Sequence, residues 1–104
     1  METFIINGIE WNLYLVEPYS RYLTWYDGTQ KLGITYGLTH EVYVSNALSN
    51  RMTEDVICHE LCHCICYSYG IKMPINEEER LCNFVRDYGR EVIIILDNIL
   101  HSIL

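Results

Sequence analysis

Between Val56 and His63 the chain reads Val-Ile-Cys-His-Glu-Leu-Cys-His. The His-Glu-x-x-His spacing inside it constrains the fold more than any other stretch. Histidines four residues apart share one face if the segment is helical, because four residues make about one turn. On that face two neutral imidazole nitrogens can close on one metal ion. Zinc held for catalysis takes three protein ligands and keeps one position for water, whose pKa it lowers to about 7. Glu60, directly after the first histidine, would take a proton from that water and pass it to a leaving amine. The stretch therefore predicts a zinc-dependent hydrolase, a small peptidase in the first instance, with His59 and His63 as ligands and Glu60 as the catalytic base. The bare pattern also arises by accident, so the flanks must supply a helix, a third ligand and room for substrate.

The flanks agree with a helix. Ser49 or Asn50 can cap one that runs from about Arg51 to Tyr69, with Glu54 and Asp55 near its positive end and Gly70 as its exit. After Lys72-Met73-Pro74, Asn76 is placed to cap a second helix that opens on Glu77-Glu78-Glu79. Its apolar positions Leu81, Phe84, Val85, Tyr88, Val92, Ile95 and Ile99 recur at threes and fours and carry it toward Leu104. Gly89 and the β-branched run Val92–Ile95 are its weak points.

A helix returning antiparallel from so short a connection brings its first turns closest to the end of the motif helix. The third ligand is therefore sought in the triple glutamate. Glu78 has Leu81, Cys82 and Val85 at plus three, four and seven, which sets it on the edge of the buried face and makes it the first choice. Glu77, with Leu81, Phe84 and Val85 at suitable steps, is the competitor. Glu79 stands three residues after Asn76, where a capping-box side chain bonds back to the backbone, and comes last.

Cys58, Cys62 and Cys66 form a stripe at every fourth position beside the histidines. Thiolates hold zinc well, so a closed Cys/His site is the competing reading. No Cys-x-x-Cys knuckle is present, however, and free cysteine commonly packs as a small core residue. Cys66 is the thiol expected nearest the metal. For stabilising an oxyanion, Tyr36, His40, Tyr67, Tyr69 and Tyr88 are candidates that spacing alone does not rank. His101, near the end of an apolar helix, reads as a helix-end cation or surface residue.

Upstream the signals change to strands. Phe4-Ile5-Ile6, Asn7-Gly8 and Ile9–Val16 read as a hairpin, since Asn-Gly suits a two-residue turn with positive φ. Ile9, Trp11, Leu13 and Leu15 alternate on one face, and Glu17-Pro18 ends the strand. Short strands at Lys31–Tyr36 and Glu41–Ser45 complete a small, mostly antiparallel sheet of three or four strands. The fold class expected is α+β, a sheet packed on an active-site helix and a second, glutamate-bearing helix. Substrate would lie extended along an edge strand near Glu41–Ser45.

Composition narrows the partners. A chain of 104 residues, half of them hydrophobic, is expected to be a single domain spanning 1–104. Seven basic against fourteen acidic residues leave a net charge of −7. With no basic stripe, nucleic acid and anionic membrane are not expected as partners. The start Met1-Glu2-Thr3-Phe4 lacks the pattern of a secretory signal, and the apolar run Val92–Leu96 is too short to span a bilayer. A cytoplasmic protein follows as the expectation, with its five cysteines reduced. The C-terminal helix is expected to bury its apolar face against the sheet, with a homo-oligomer contact as the alternative.

From Gly33 to about Tyr88 the chain resembles the short phage and bacterial zinc metallopeptidases related to the ImmA/IrrE-type peptidases, within the broader zincin architecture. The shared features are a strand before the helix, His59-Glu60-Leu61-Cys62-His63 on it, and Asn76-Glu77-Glu78-Glu79-Arg80-Leu81-Cys82-Asn83-Phe84-Val85 opening the next. In ImmA/IrrE-like proteins the third ligand is a glutamate six residues before a phenylalanine, and counting back from Phe84 gives Glu78. The resemblance implies zinc, peptide-bond hydrolysis and a peptide or protein substrate. One departure is a short gap from His63 to the glutamates, and an added C-terminal domain that chooses a repressor substrate is not expected here. The runner-up function is a non-catalytic zinc-binding regulatory or protein-interaction module.

Overall fold

At Asn7 and Gly8 the backbone takes φ of 50° and 76°, the paired positive values that a two-residue hairpin turn requires. The computed structural model, which describes residues 1–104, accordingly opens with β1 (Glu2–Ile6) antiparallel to β2 (Ile9–Val16). β2 pairs in parallel with β4 (Glu41–Ser45), and β3 (Gly33–Tyr36) runs antiparallel along the far side of β4. The strand order is β1-β2-β4-β3. The fold is α+β, and its four-stranded sheet is mixed because the central pairing is parallel.

This order corrects one expectation. Glu41–Ser45 is an interior strand, bonded on both sides, and the edge on that side of the sheet is β3. The composition of β4 explains the choice. Val42, Tyr43, Val44 and Ser45 are all buried, so both faces of this strand need cover, the habit of a central strand. Gly33 and Thr35 give β3 less to bury.

The front of the sheet is filled by α1 (Asn50–Ser68). Trp11, Leu13, Val42 and Val44 pack with Cys64 of this helix, and Val56 and Ile57 close around them. The Trp11 indole N–H donates to Ser68 Oγ at 2.9 Å and so pins the helix's last turn to the sheet. Ser49 caps the start, its Oγ accepting from the Met52 amide at 3.2 Å. Behind the sheet Tyr14 and Tyr22 stack on Tyr43 at 5.1 and 4.4 Å, and a 3₁₀ turn at Arg21–Leu23 buries Leu23 there. Both faces are thus occupied.

Beyond Gly70, which leaves α1 with φ 64°, α2 runs Ile75–Phe84. It begins at Pro74 rather than at the expected Asn76 cap. The amides of Glu77 and Glu78 donate to the Pro74 carbonyl at 2.9 and 3.1 Å, with no side-chain cap. Proline is at home at such a start, where amide hydrogens are orphaned anyway. The shift leaves Glu79 without its capping role. A single π-turn, Val85–Gly89, then leads into α3 (Arg90–Ile103). The interruption falls at Gly89, the expected weak point.

α3 does not pack on the sheet as expected. Only 14 of 104 residues are buried and none of them belongs to α3. With α1 on one face and the tyrosine layer on the other, the sheet has no face left to offer. No helix is long and apolar enough to cross a membrane.

Candidate metal centre

Two consecutive turns of α1 bring His59 and His63 side by side, their ring centres 5.0 Å apart. Their Nε2 atoms meet one carboxylate from α2. Glu79 Oε2 lies 3.2 Å from His59 Nε2, and Glu79 Oε1 lies 2.8 Å from His63 Nε2. Glu78 approaches from the other side of the second ring, with Oε2 2.6 Å from His63 Nδ1. Glu77 is exposed and stays outside the cleft. The helix start at Pro74 accounts for this arrangement. Once Glu79 is released from capping, both Glu78 and Glu79 are free to turn toward α1.

Glu60 is 6% exposed. Its Oε1 accepts from Thr35 Oγ1 at 2.9 Å, and its Oε2 stands 3.9 Å from His59 Nε2. Burial pushes the Glu60 carboxyl above its ordinary value, against the opposing pull of the Thr35 hydroxyl and the two histidines. Thr35 reaches it only because β3 runs unusually near α1. A Cβ on Gly33 would stand 2.6 Å from Val56 Cγ1 and 3.1 Å from Glu60 Cγ. Sequence reasoning missed this pair. The available signal was their spacing: residues two apart in a strand share a face, so Gly33 and Thr35 face α1 together.

These side chains line a cleft of about 630 Å³. β3 forms one wall through Gly33, Ile34 and Thr35, α1 the floor, and α2 the other wall through Ile75, Glu78 and Glu79. Trp25 and Ile71 add apolar surface, and Lys31 is the one lysine or arginine in the lining. Of the five oxyanion candidates, only Tyr67 lines the cleft. Its ring sits edge-on to Trp11 at 5.9 Å, and Gly37 leaves it room, since a Cβ there would come within 2.6 Å of the ring. The Tyr36 hydroxyl is committed to the Tyr22 carbonyl at 3.0 Å, and His40 packs against Trp11 and Tyr67.

The five cysteines are free thiols, four of them buried. Burial pushes Cys64 up to about 12 and Cys66 up to about 11. Such thiols behave as small core residues rather than nucleophiles. It is Cys82, not the expected Cys66, whose sulfur lies with a nitrogen from each of His59 and His63 inside 4.8 Å. Cys82 is 0% exposed, and burial together with a hydrogen bond to Cys62 raises its pKa. It follows Glu78 by four and Glu79 by three, so all three face α1 from α2.

The residues fit zinc. Two imidazoles and a carboxylate are a donor set that zinc takes with one position open. His59 Nδ1 is buried with no hydrogen-bond partner, so the nitrogen that this ring offers to a ligand is the Nε2 that faces Glu79. His63 already has the outer carboxylate that ligating histidines use to fix their tautomer. Compared with protein families, with curated proteins and with solved structures, the chain finds no match.

Proposed function

We propose that this protein is a zinc-dependent peptidase on a minimal zincin-like fold. The observation that carries the reading is the convergence of both histidine Nε2 atoms and the Glu79 carboxylate on a cleft that Glu60 also enters. His59, His63 and Glu79 would hold the metal. Glu78, the first choice from sequence, is assigned to orient His63 through Nδ1. Zinc bound there would supply Lewis acidity and make a water molecule acidic near neutral pH.

The chain's own groups do the rest. The Thr35 hydroxyl holds one oxygen of Glu60 and leaves the other to accept a proton and deliver it to a leaving amine. Burial keeps water from competing for that carboxyl. The Tyr67 hydroxyl, one turn after His63, is the donor for negative charge that develops on the substrate carbonyl. A peptide would lie extended along β3, the sheet edge that borders the cleft, and pair with its free backbone groups.

The test is Glu60→Gln. The variant should retain one equivalent of zinc and lose about 10²–10⁴ in turnover of a fluorogenic peptide library. Wild-type turnover in this variant would end the proposal. Cys82 favours a second reading, a closed His59/His63/Cys82 zinc site without turnover. Cobalt in place of zinc separates the two, because a thiolate ligand adds an intense charge-transfer band that the carboxylate set lacks.

A further inference from the structure

α3 is a helix that should not stand alone. Its 14 residues continue the helical run of α2 and the π-turn, but none of them is buried, and most helical stability comes from packing of an apolar face rather than from propensity. Its β-branched run Val92–Ile95 lowers the propensity. All of Arg90–Leu104 is nevertheless exposed, held to the rest of the chain by the π-turn and an ion pair from Arg90 to Glu54 at its root.

The exposed side chains are ordered. Val92, Leu96, Ile99 and Ile103 follow one another at alternating steps of four and three, the spacing of a helix–helix seam. Ile93 and Leu100 flank the stripe on one side, Tyr88 and Ile95 on the other. Ile94 lies apart, on the opposite face with Arg90, Asp97 and His101.

We propose that a second copy of this chain covers the stripe, α3 packing on α3 about a two-fold axis. The area suits that occupant. Half-exposed isoleucine and leucine side chains leave on the order of 100 Å² each, so six of them present about 600 Å² per chain and about 1,200 Å² per pair, the size of a specific interface. The polar face carries Arg90 and His101 against Glu91 and Asp97. It lacks the lysine and arginine enrichment of a helix that lies on anionic lipid, and the chain's net charge of −7 opposes such a surface. An isologous contact requires no complementary charge from a partner, because the same apolar stripe meets itself. No residue of α3 lines the cleft, so the paired surface and the proposed metal site share no side chain.

Sedimentation velocity of the full chain tests this between about 1 and 100 μM. The expected species is twice the 12.3 kDa chain. Leu96→Glu/Ile99→Glu, which sets two carboxylates into the seam, should weaken pairing by more than about 100-fold and leave single chains. Ile94→Glu, off the stripe, should stay paired. Should the double variant lose its fold by circular dichroism, the wild type still decides: a midpoint of thermal unfolding that rises with protein concentration supports pairing, and a constant midpoint overturns it. Wild-type protein that sediments as single chains at about 100 μM also refutes the proposal. So does Ile94→Glu dissociating as fully as the double variant, or wild type floating with phosphatidylcholine–phosphatidylglycerol vesicles.

Discussion

Gly33→Ala tests how closely β3 must approach α1. The added Cβ meets Val56 Cγ1 at 2.6 Å and Glu60 Cγ at 3.1 Å, the first well inside van der Waals contact. Val56 is β-branched and on a helix, where one χ1 rotamer dominates, so it has little freedom to swing clear. β3 must move instead, or Glu60 must give. Inserting a methyl group into such a site costs about 1–3 kcal/mol, and the reduced freedom of the unfolded chain returns about 0.4–1 kcal/mol. A net loss of about 1–2 kcal/mol should appear as a fall in Tm of roughly 5–15 °C. The same displacement lengthens the 2.9 Å bond from Thr35 to Glu60, so peptide turnover should fall with stability. Thermal unfolding of Gly33→Ala, Val56→Ala and the double variant closes a cycle. Because the two side chains compete for one space, Val56→Ala should recover most of the loss caused by Gly33→Ala. Strict additivity, or a Gly33→Ala protein as stable as wild type, would show that the close approach constrains nothing.

Two further outcomes are expected. Glu79→Gln should weaken zinc binding far more than Glu78→Gln, which as an outer partner of His63 should cost about 10–100-fold; competition against a chromogenic chelator measures both, and the reverse order would return the third-ligand role to Glu78. The metal-free protein should also lose stability as pH rises. Burial lifts the Glu60 carboxyl above its ordinary 4.5, so the folded state holds that proton more tightly than the unfolded chain. The stabilisation is complete below the ordinary value and is lost as pH climbs through the raised one. Glu60→Gln should therefore be more stable than the metal-free wild type at neutral pH, by a margin that closes toward about pH 4; equal denaturant midpoints at both pH values would contradict this.

Local signals carried far in this chain. The Asn7-Gly8 hairpin and the Ser49-capped helix follow from turn chemistry and capping within a few residues. The shared face of His59 and His63, with Glu60 one step round, follows from helical pitch. What sequence could not resolve depended on partners far along the chain. The slot of β4 between β2 and β3 is a matter of strand order, which alternation within each strand leaves open. Glu78 and Glu79 sit four and three before Cys82, so helical phase puts both on the same side, and only the start at Pro74 releases Glu79 to the histidines. Cys82 itself lies on the helix opposite the cysteine stripe, where its approach to His59 and His63 is a product of interhelical packing. α3 misled for a related reason. Apolar composition says that a surface will be covered, without saying that the cover lies in the same chain.

The division of the candidate ligands between two helices has a consequence for the arm that ends in α3. α2 packs chiefly on α1 and the π-turn rather than on the sheet. Glu78 and Glu79 reaching His63 and His59 are therefore side-chain links between that arm and the body, beside the Arg90–Glu54 ion pair and the Cys58 thiol on the Val85 carbonyl. An ion held by both helices would stiffen this joint and fix the direction in which α3 leaves. Thermodynamic reciprocity then runs the other way as well: whatever immobilises the arm tightens the grip on the ion by the same factor.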